Sequence, residues 1–282
     1  IMIEDVGIRK INEQEFYRFS DLDNVMELPN IYHSLTHVMF IRSPSKDLNS
    51  GYEYVKKQFH LLLESLSLFS TGNPHFGTIY RNINSPWIHH DSRYDQNVIH
   101  QKSLQFNKKD KRKVGSILKT IKSVDYSVKG NKFVEISKNR YISALSRING
   151  IDKLIDLAIS IECLYVSGPG EITVKLVNRA STLLAKNDKE REDYWYFIKK
   201  VYSLRSGIVH GDELRSTEIN GKQYEIDEII DKLITLTQKS IIMYSKLIHH
   251  YDGKKKIEKI YDDIDIGLIN RSLLKEIHSK CK

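Results

Sequence analysis

Ile151-Asp152-Lys153-Leu154-Ile155-Asp156-Leu157-Ala158-Ile159-Ser160-Ile161-Glu162-Cys163-Leu164-Tyr165 decides the fold class of this chain. Its apolar residues return every three or four positions, through Ile151, Ile155, Ala158 and Tyr165, which is the period of an α-helix. The pattern extends on both sides. Helices are expected over about 133–147, 151–166, 171–186, 189–210 and 224–251, with breaks at Gly150, Gly168-Pro169-Gly170, Asn187-Asp188 and Gly211. Asn187 followed by Glu190 has the spacing of a capping box, and Gly211 suits a left-handed cap at the end of its helix. Short connections favour antiparallel neighbours, so residues 133–252 are expected to form an α-bundle.

Upstream the texture changes. Thr36 to Ile41 has strand character and ends at Ser43-Pro44-Ser45; Phe76 to Tyr80 is similar, between Asn73-Pro74 and the Asn82–Pro86 turn cluster. One helix is expected between them, over Tyr52 to Phe69, with a stripe of Val55, Phe59, Leu62/Leu63, Leu66 and Phe69. The overall class is therefore α+β: a smaller mixed N-terminal region (1–105), a basic connector helix (106–132), the all-α bundle (133–252) and a C-terminal tail (253–282).

Of 282 residues, 40% are apolar and 28% charged, the balance of a folded, soluble protein. No run of 18 uncharged apolar residues is present, so no membrane span is expected. Glu4, Asp5 and Arg9 break up the opening residues, unlike a secretory signal. The two cysteines, Cys163 and Cys281, lie far apart and form no disulfide framework, which fits a cytoplasmic setting. His33 and His37 form an HxxxH that nothing nearby completes, so neither a metal nor another cofactor is expected. The net charge of +8 favours polyanionic partners, nucleic acid above all. Lys109 and Arg112, in the basic run at the start of the connector helix, are candidate RNA contacts, as are Lys199 and Lys200; the plainer alternative for such a run is a solvated helix face.

Two bundle helices place a charge where the stripe calls for an apolar residue: Glu162 on the first, and Arg205 on a stripe of Ile198, Val201/Tyr202 and Ile208/Val209 on the second. Isolated buried charges cost several kcal/mol, roughly, so a Glu162–Arg205 pair is the economical expectation. Its plainer meaning is a salt bridge that fixes helix register. His210 follows Arg205 by five residues, about 140° of helix rotation, so the two would not share a face in a regular helix. Either a loosened last turn brings them together, or His210 faces a neighbouring subunit. A helix-end cap is the simpler role for such a histidine.

Arg205-Ser206-Gly207-Ile208-Val209-His210 resembles the Arg-x4–6-His motif of the HEPN superfamily. The wider Val201–Gly211 string, with Ala158–Leu164 and Gly170–Leu176 upstream, is similar to the Apea-like branch; the resemblance covers about residues 133–250. It implies a four- or five-helix bundle that pairs about a two-fold axis, metal-independent endoribonuclease activity, and a role in anti-phage, abortive-infection or toxin–antitoxin defence with a phage-derived trigger or an antitoxin as partner. It also implies that Arg205 and His210 are the catalytic pair, Ser206 the adjacent polar position and Glu162 the acidic position on an earlier helix. Gly207 is unusual there, because glycine lowers helix propensity.

Such chemistry uses the RNA's own 2′-OH as nucleophile, a base, an acid, and a cation for the charged phosphorane. Histidine suits acid or base work, and arginine matches phosphate oxygens bidentately. Glu162 would orient Arg205. One histidine cannot be base and acid in the same step, so a homodimer that brings two copies of His210 together is chemically attractive. The rival expectation is a non-catalytic HEPN module that binds RNA or a nucleotide, or only dimerises, coupled to an N-terminal sensor.

Overall fold

The structure is a computed structural model and describes residues 2–3, 6–10, 37–40, 48–70, 78–81, 89–92, 107–212, 216–251 and 256–281. The turn segments expected at 43–45, 73–74 and 82–86, and His33, lie outside the described residues. The chain divides into two compact units, 1–118 and 119–282.

In the first unit, β1 (Met2–Ile3), β2 (Val6–Lys10) and β3 (His37–Phe40) form an antiparallel sheet with Gly7 opposite Phe40 and Lys10 opposite His37. Helix α1 runs over Leu48–Phe69. Strands β4 (Thr78–Arg81) and β5 (His89–Ser92) pair antiparallel. The core joins Val6 and Ile8 of β2, Phe59, Leu62 and Leu66 of α1, and Val114 and Leu118 of α2 (Lys111–Ser123). Alternation along β2 and the three-to-four spacing along α1 each put these apolar side chains on one face. The division between units falls within α2.

In the second unit, α3 (Lys132–Ser146), α4 (Gly150–Tyr165), α5 (Ile172–Leu184), α6 (Asp188–Val209) and α7 (Ile226–Leu247) form the helical bundle expected from the sequence. Helices α3 and α4 are antiparallel neighbours, pinned by the Ser137 and Ser160 hydroxyls 3.0 Å apart in the core. Helices α5 and α6 are held likewise, with the Trp195 indole N–H donating to Asn178 Oδ1 at 2.9 Å. Asn149 and Asn187 cap α4 and α6 by accepting from Ile151 N and Glu190 N. The Glu190 carboxylate reaches one residue past the cap, to Lys186 N, so the capping box is only half made.

Two features depart from the expected layout. Residues 216–225 form a hairpin, β6 (Ser216–Ile219) and β7 (Lys222–Glu225), turned by Asn220 and Gly221 at φ 50° and 75°. Both positive φ values match a two-residue type I′ turn. Part of the segment expected to be a tail is two further helices, α8 (Lys256–Gly267) and α9 (Arg271–Lys280). Ile260, Tyr261 and Ile264 of α8 and Ile277 of α9 are buried.

A buried cation ties α8 to the bundle. Arg179 of α5 binds Asp265 through Nε (2.9 Å) and Nη2 (2.7 Å), donates to the Tyr165 carbonyl at 3.0 Å, and lies 4.3 Å over the Tyr261 ring. Asp265→Ala is expected to cost about 2 kcal/mol, below the roughly 3–5 kcal/mol of a fully buried pair, because Asp265 is 42% exposed. Denaturant unfolding of the two proteins checks this; a change below about 0.5 kcal/mol, the level of ordinary surface substitutions, would show that Arg179 needs no counter-charge.

Candidate functional site

The α4 residues Leu154, Leu157, Ala158, Ile161, Leu164 and Tyr165 are buried, and Ile151, Ile155 and Glu162 are half-buried. The stripe drawn through Glu162 is thus the shoulder of the buried face and not its centre. The same holds for α6, where Phe197, Ile198, Val201 and Leu204 are buried and Arg205 is half-buried beside them.

The expected Glu162–Arg205 ion pair does not form. Among the described residues, Glu162 Oε2 and Arg205 Nε are each enclosed without a hydrogen-bond partner, and no salt bridge joins them. Each residue as a whole is half-buried at the shoulder of its helix, but these two polar atoms are closed off from solvent. Tyr202 links them. The Arg205 guanidinium lies 5.9 Å over its ring. The Tyr202 phenol is held above its ordinary range by burial and by the Glu162 carboxylate, against the opposing pull of Arg205. The sequence reading did not single out Tyr202, although it sits one turn before Arg205.

The last turn of α6 is not loosened. His210 N bonds to both Ser206 O (3.2 Å) and Gly207 O (3.0 Å), Gly211 N to Ile208 O (3.0 Å), and Asp212 N back to Gly207 O (3.0 Å). These last two bonds, with Gly211 at φ 97°, make a Schellman cap. His210 is therefore fixed at the end of a regular helix, and it is exposed. Helical geometry puts His210, Ser206, Tyr202 and Lys199 on one face, with Arg205 about 140° from His210. Within one chain the two motif residues diverge.

Gly207 has a structural reason. A Cβ there would collide with the Asp212 carboxylate, whose Cγ would be 3.2 Å away. The cap folds Asp212 back over the last turn, so a larger residue at 207 would require the exposed Asp212 carboxylate to swing away. Asp212, two residues past His210, was also not foreseen.

Ser206 is exposed beside His210. Lys199 is exposed with its ammonium 4.6 Å over the Trp195 ring, and Lys200 is half-buried. Lys109 and Arg112 are exposed at the start of α2, in the other unit. Cys163, beside Glu162, is a free thiol pushed above its usual range by burial and by the Glu162 charge; Cys281 is also free, and burial pushes it up to about 12. Among the described residues no group of three His, Cys, Asp or Glu is placed to hold a metal ion.

No family model, no curated protein and no solved structure matches this chain.

Two variants test the geometry. Gly211→Ala, at φ 97°, is expected to destabilise the protein by about 1 kcal/mol. Glu162→Ala is expected to cost less than about 1 kcal/mol, because it breaks no ion pair. Thermal and denaturant melts check both; a loss of about 3–5 kcal/mol at Glu162 would mean that it pairs with Arg205 in solution.

Proposed function

We propose that this chain is a metal-independent endoribonuclease of the HEPN type, acting as a homodimer in the cytoplasm in anti-phage or toxin-like defence. The observation that carries the proposal is the arrangement on α6: an exposed histidine at the capped end of the helix, and a half-buried arginine that forms no ion pair with Glu162. Arg205 Nε is enclosed, but the terminal guanidinium nitrogens of this half-buried residue make no hydrogen bond among the described residues and suit a phosphate.

The divergence of Arg205 and His210 bears on the dimer. One chain presents the two in different directions, so a concerted centre needs a second copy. The exposed face of α6 suits that contact. It carries Tyr196 (40% exposed), Val209 (60% exposed), Ser203 and Ser206, with Lys199 and His210 among them. Aromatic enrichment and few charges mark interface cores. In the paired centre, the 2′-oxygen attacks phosphorus as one His210 takes its proton. The second His210, as imidazolium, protonates the leaving 5′-oxygen. Arg205 stabilises the phosphorane. The products are a 2′,3′-cyclic phosphate and a 5′-hydroxyl. Its defence role, with a phage-derived trigger or an antitoxin, rests on the family resemblance alone.

The same divergence supports a second reading for a chain that acts alone: a non-catalytic module that binds RNA or a nucleotide, with the first unit as sensor. Incubation of the purified protein with tRNA and mRNA in excess EDTA separates the two. Cleavage is expected to persist in EDTA and to fall by about 10²–10⁴ in His210→Ala, with RNA affinity nearly intact. Arg205→Ala is expected to weaken both cleavage and binding. A dimer is expected by light scattering at micromolar concentration. A folded dimer that cleaves no RNA, with or without extract from infected cells, would establish the binding module instead.

A further inference from the structure

Asp156 of α4 is 4% exposed, and each of its carboxylate oxygens accepts from a different arginine. Arg140 Nη1 donates to Oδ1 at 3.2 Å and Arg147 Nε to Oδ2 at 2.8 Å. The arginines come from α3 and from its C-terminal cap, and their side chains are 48% and 50% exposed. Asp156 therefore anchors two cations that remain half in solvent.

One arginine would satisfy a buried carboxylate. The second brings a like charge next to the first, which is unfavourable unless something negative is met there. A guanidinium has five N–H donors, and each arginine spends one on Asp156. Both side chains are half-exposed, and the bond to the carboxylate tethers each guanidinium. Part of the cost of ordering a long side chain on binding is thus met in the free protein. The other carboxylate that acts on Arg147 is the exposed Asp152, the weakest of the influences on it.

We propose that Arg140 and Arg147, oriented by the buried Asp156, form a phosphodiester clamp for RNA beside the Glu162–Arg205 centre. The placement supports it. Asp156 and Glu162 are six residues apart on α4, about 9 Å along the axis and about 120° around it, so the clamp lies on the flank next to the Glu162 face. The half-buried Ile155 and Ile159 lie on the outer face of α4 between them. Arg140 also acts on Cys163, the neighbour of Glu162. The choice of RNA as the polyanion rests on the ribonuclease reading. The clamp itself fits any phosphodiester backbone, and planar bidentate donors suit phosphate oxygens better than a point charge does.

The test measures binding of a short single-stranded RNA to His210→Ala protein, so that the RNA stays intact. Arg140→Gln and Arg147→Gln each leave Asp156 one partner, so neither strands a buried charge. Each is expected to weaken binding about tenfold and to flatten the slope of log K against log salt by about 0.7. Arg140→Lys and Arg147→Lys, which keep charge and fold, are expected to restore the slope and only part of the affinity. A control that removes two exposed cations elsewhere, Lys259→Gln with Lys275→Gln, is expected to change neither quantity. Unchanged affinity and slope in both glutamine variants would overturn the clamp and leave a double salt bridge that closes the α3–α4 turn. Binding to polyglutamate with none to RNA would overturn it in favour of an acidic protein partner. Arginine-dependent RNA binding in a wild-type protein that cleaves nothing would uphold the clamp while contradicting the ribonuclease reading.

Discussion

The buried guanidinium of Arg179 is the constraint on which the second unit depends. It draws together the consecutive helices α5 and α4, the latter through the Tyr165 carbonyl of its last turn, and the distant α8 through Asp265 and the Tyr261 ring. Around it, Tyr165 meets Tyr244 edge-on at 5.2 Å, Tyr244 meets Phe133 at 5.6 Å, and the Tyr261 hydroxyl donates to the Leu164 carbonyl at 2.9 Å. Edge-to-face rings add to the burial of large apolar area; the Tyr165 hydroxyl pairs with Ser240 Oγ at 2.9 Å, whereas the Tyr244 hydroxyl is enclosed without a partner among the described residues. The C-terminal end of α4 is thereby fixed, and with it Glu162, one turn upstream.

The candidate centre is built on that fixed frame by two further devices. The Schellman cap at Gly211 ends α6 sharply and sets the direction of His210, and the same turn folds Asp212 over Gly207. Glu162 and Arg205 sit half-buried on the shoulders of their helices, with one polar atom of each enclosed and unpaired. A fully buried pair would have neutralised the arginine; a fully exposed one would have left it unoriented. The same logic recurs at Asp156, where the carboxylate is buried and the arginines are not.

Periodicity made the bundle legible, because α4, α6 and α7 each bury a largely apolar face, and Gly168 and Gly211 stand just past the ends of α4 and α6. It misled at Glu162. An α-helix that is apolar over more than half its circumference permits several stripes, and the one through Ile151, Ile155 and Glu162 runs along the edge. The β6–β7 hairpin was also readable: Asn220-Gly221 between two short polar strands is a strong turn signal, hidden because only Thr217 and Ile219 of β6 are buried. The α8 stripe of Ile260, Tyr261 and Ile264 has helical spacing, but it is short and flanked by lysines and aspartates, so it reads as tail. Arg205 and His210 could be named from their motif. Tyr202 and Asp212 could not, since their roles come from a ring beneath a guanidinium and from a cap that folds back.

The most direct test of the account is cleavage of an RNA in which the ribose at the mapped cut site carries a single 2′-deoxy substitution. Attack by the RNA's own 2′-oxygen requires that the substitution abolish cutting there, and that the native site yield a 2′,3′-cyclic phosphate and a 5′-hydroxyl. Undiminished cutting of the deoxy-substituted strand, or products with 5′-phosphate ends, would mean that water attacks in place of the 2′-oxygen, and the roles given to His210 and Arg205 would be wrong.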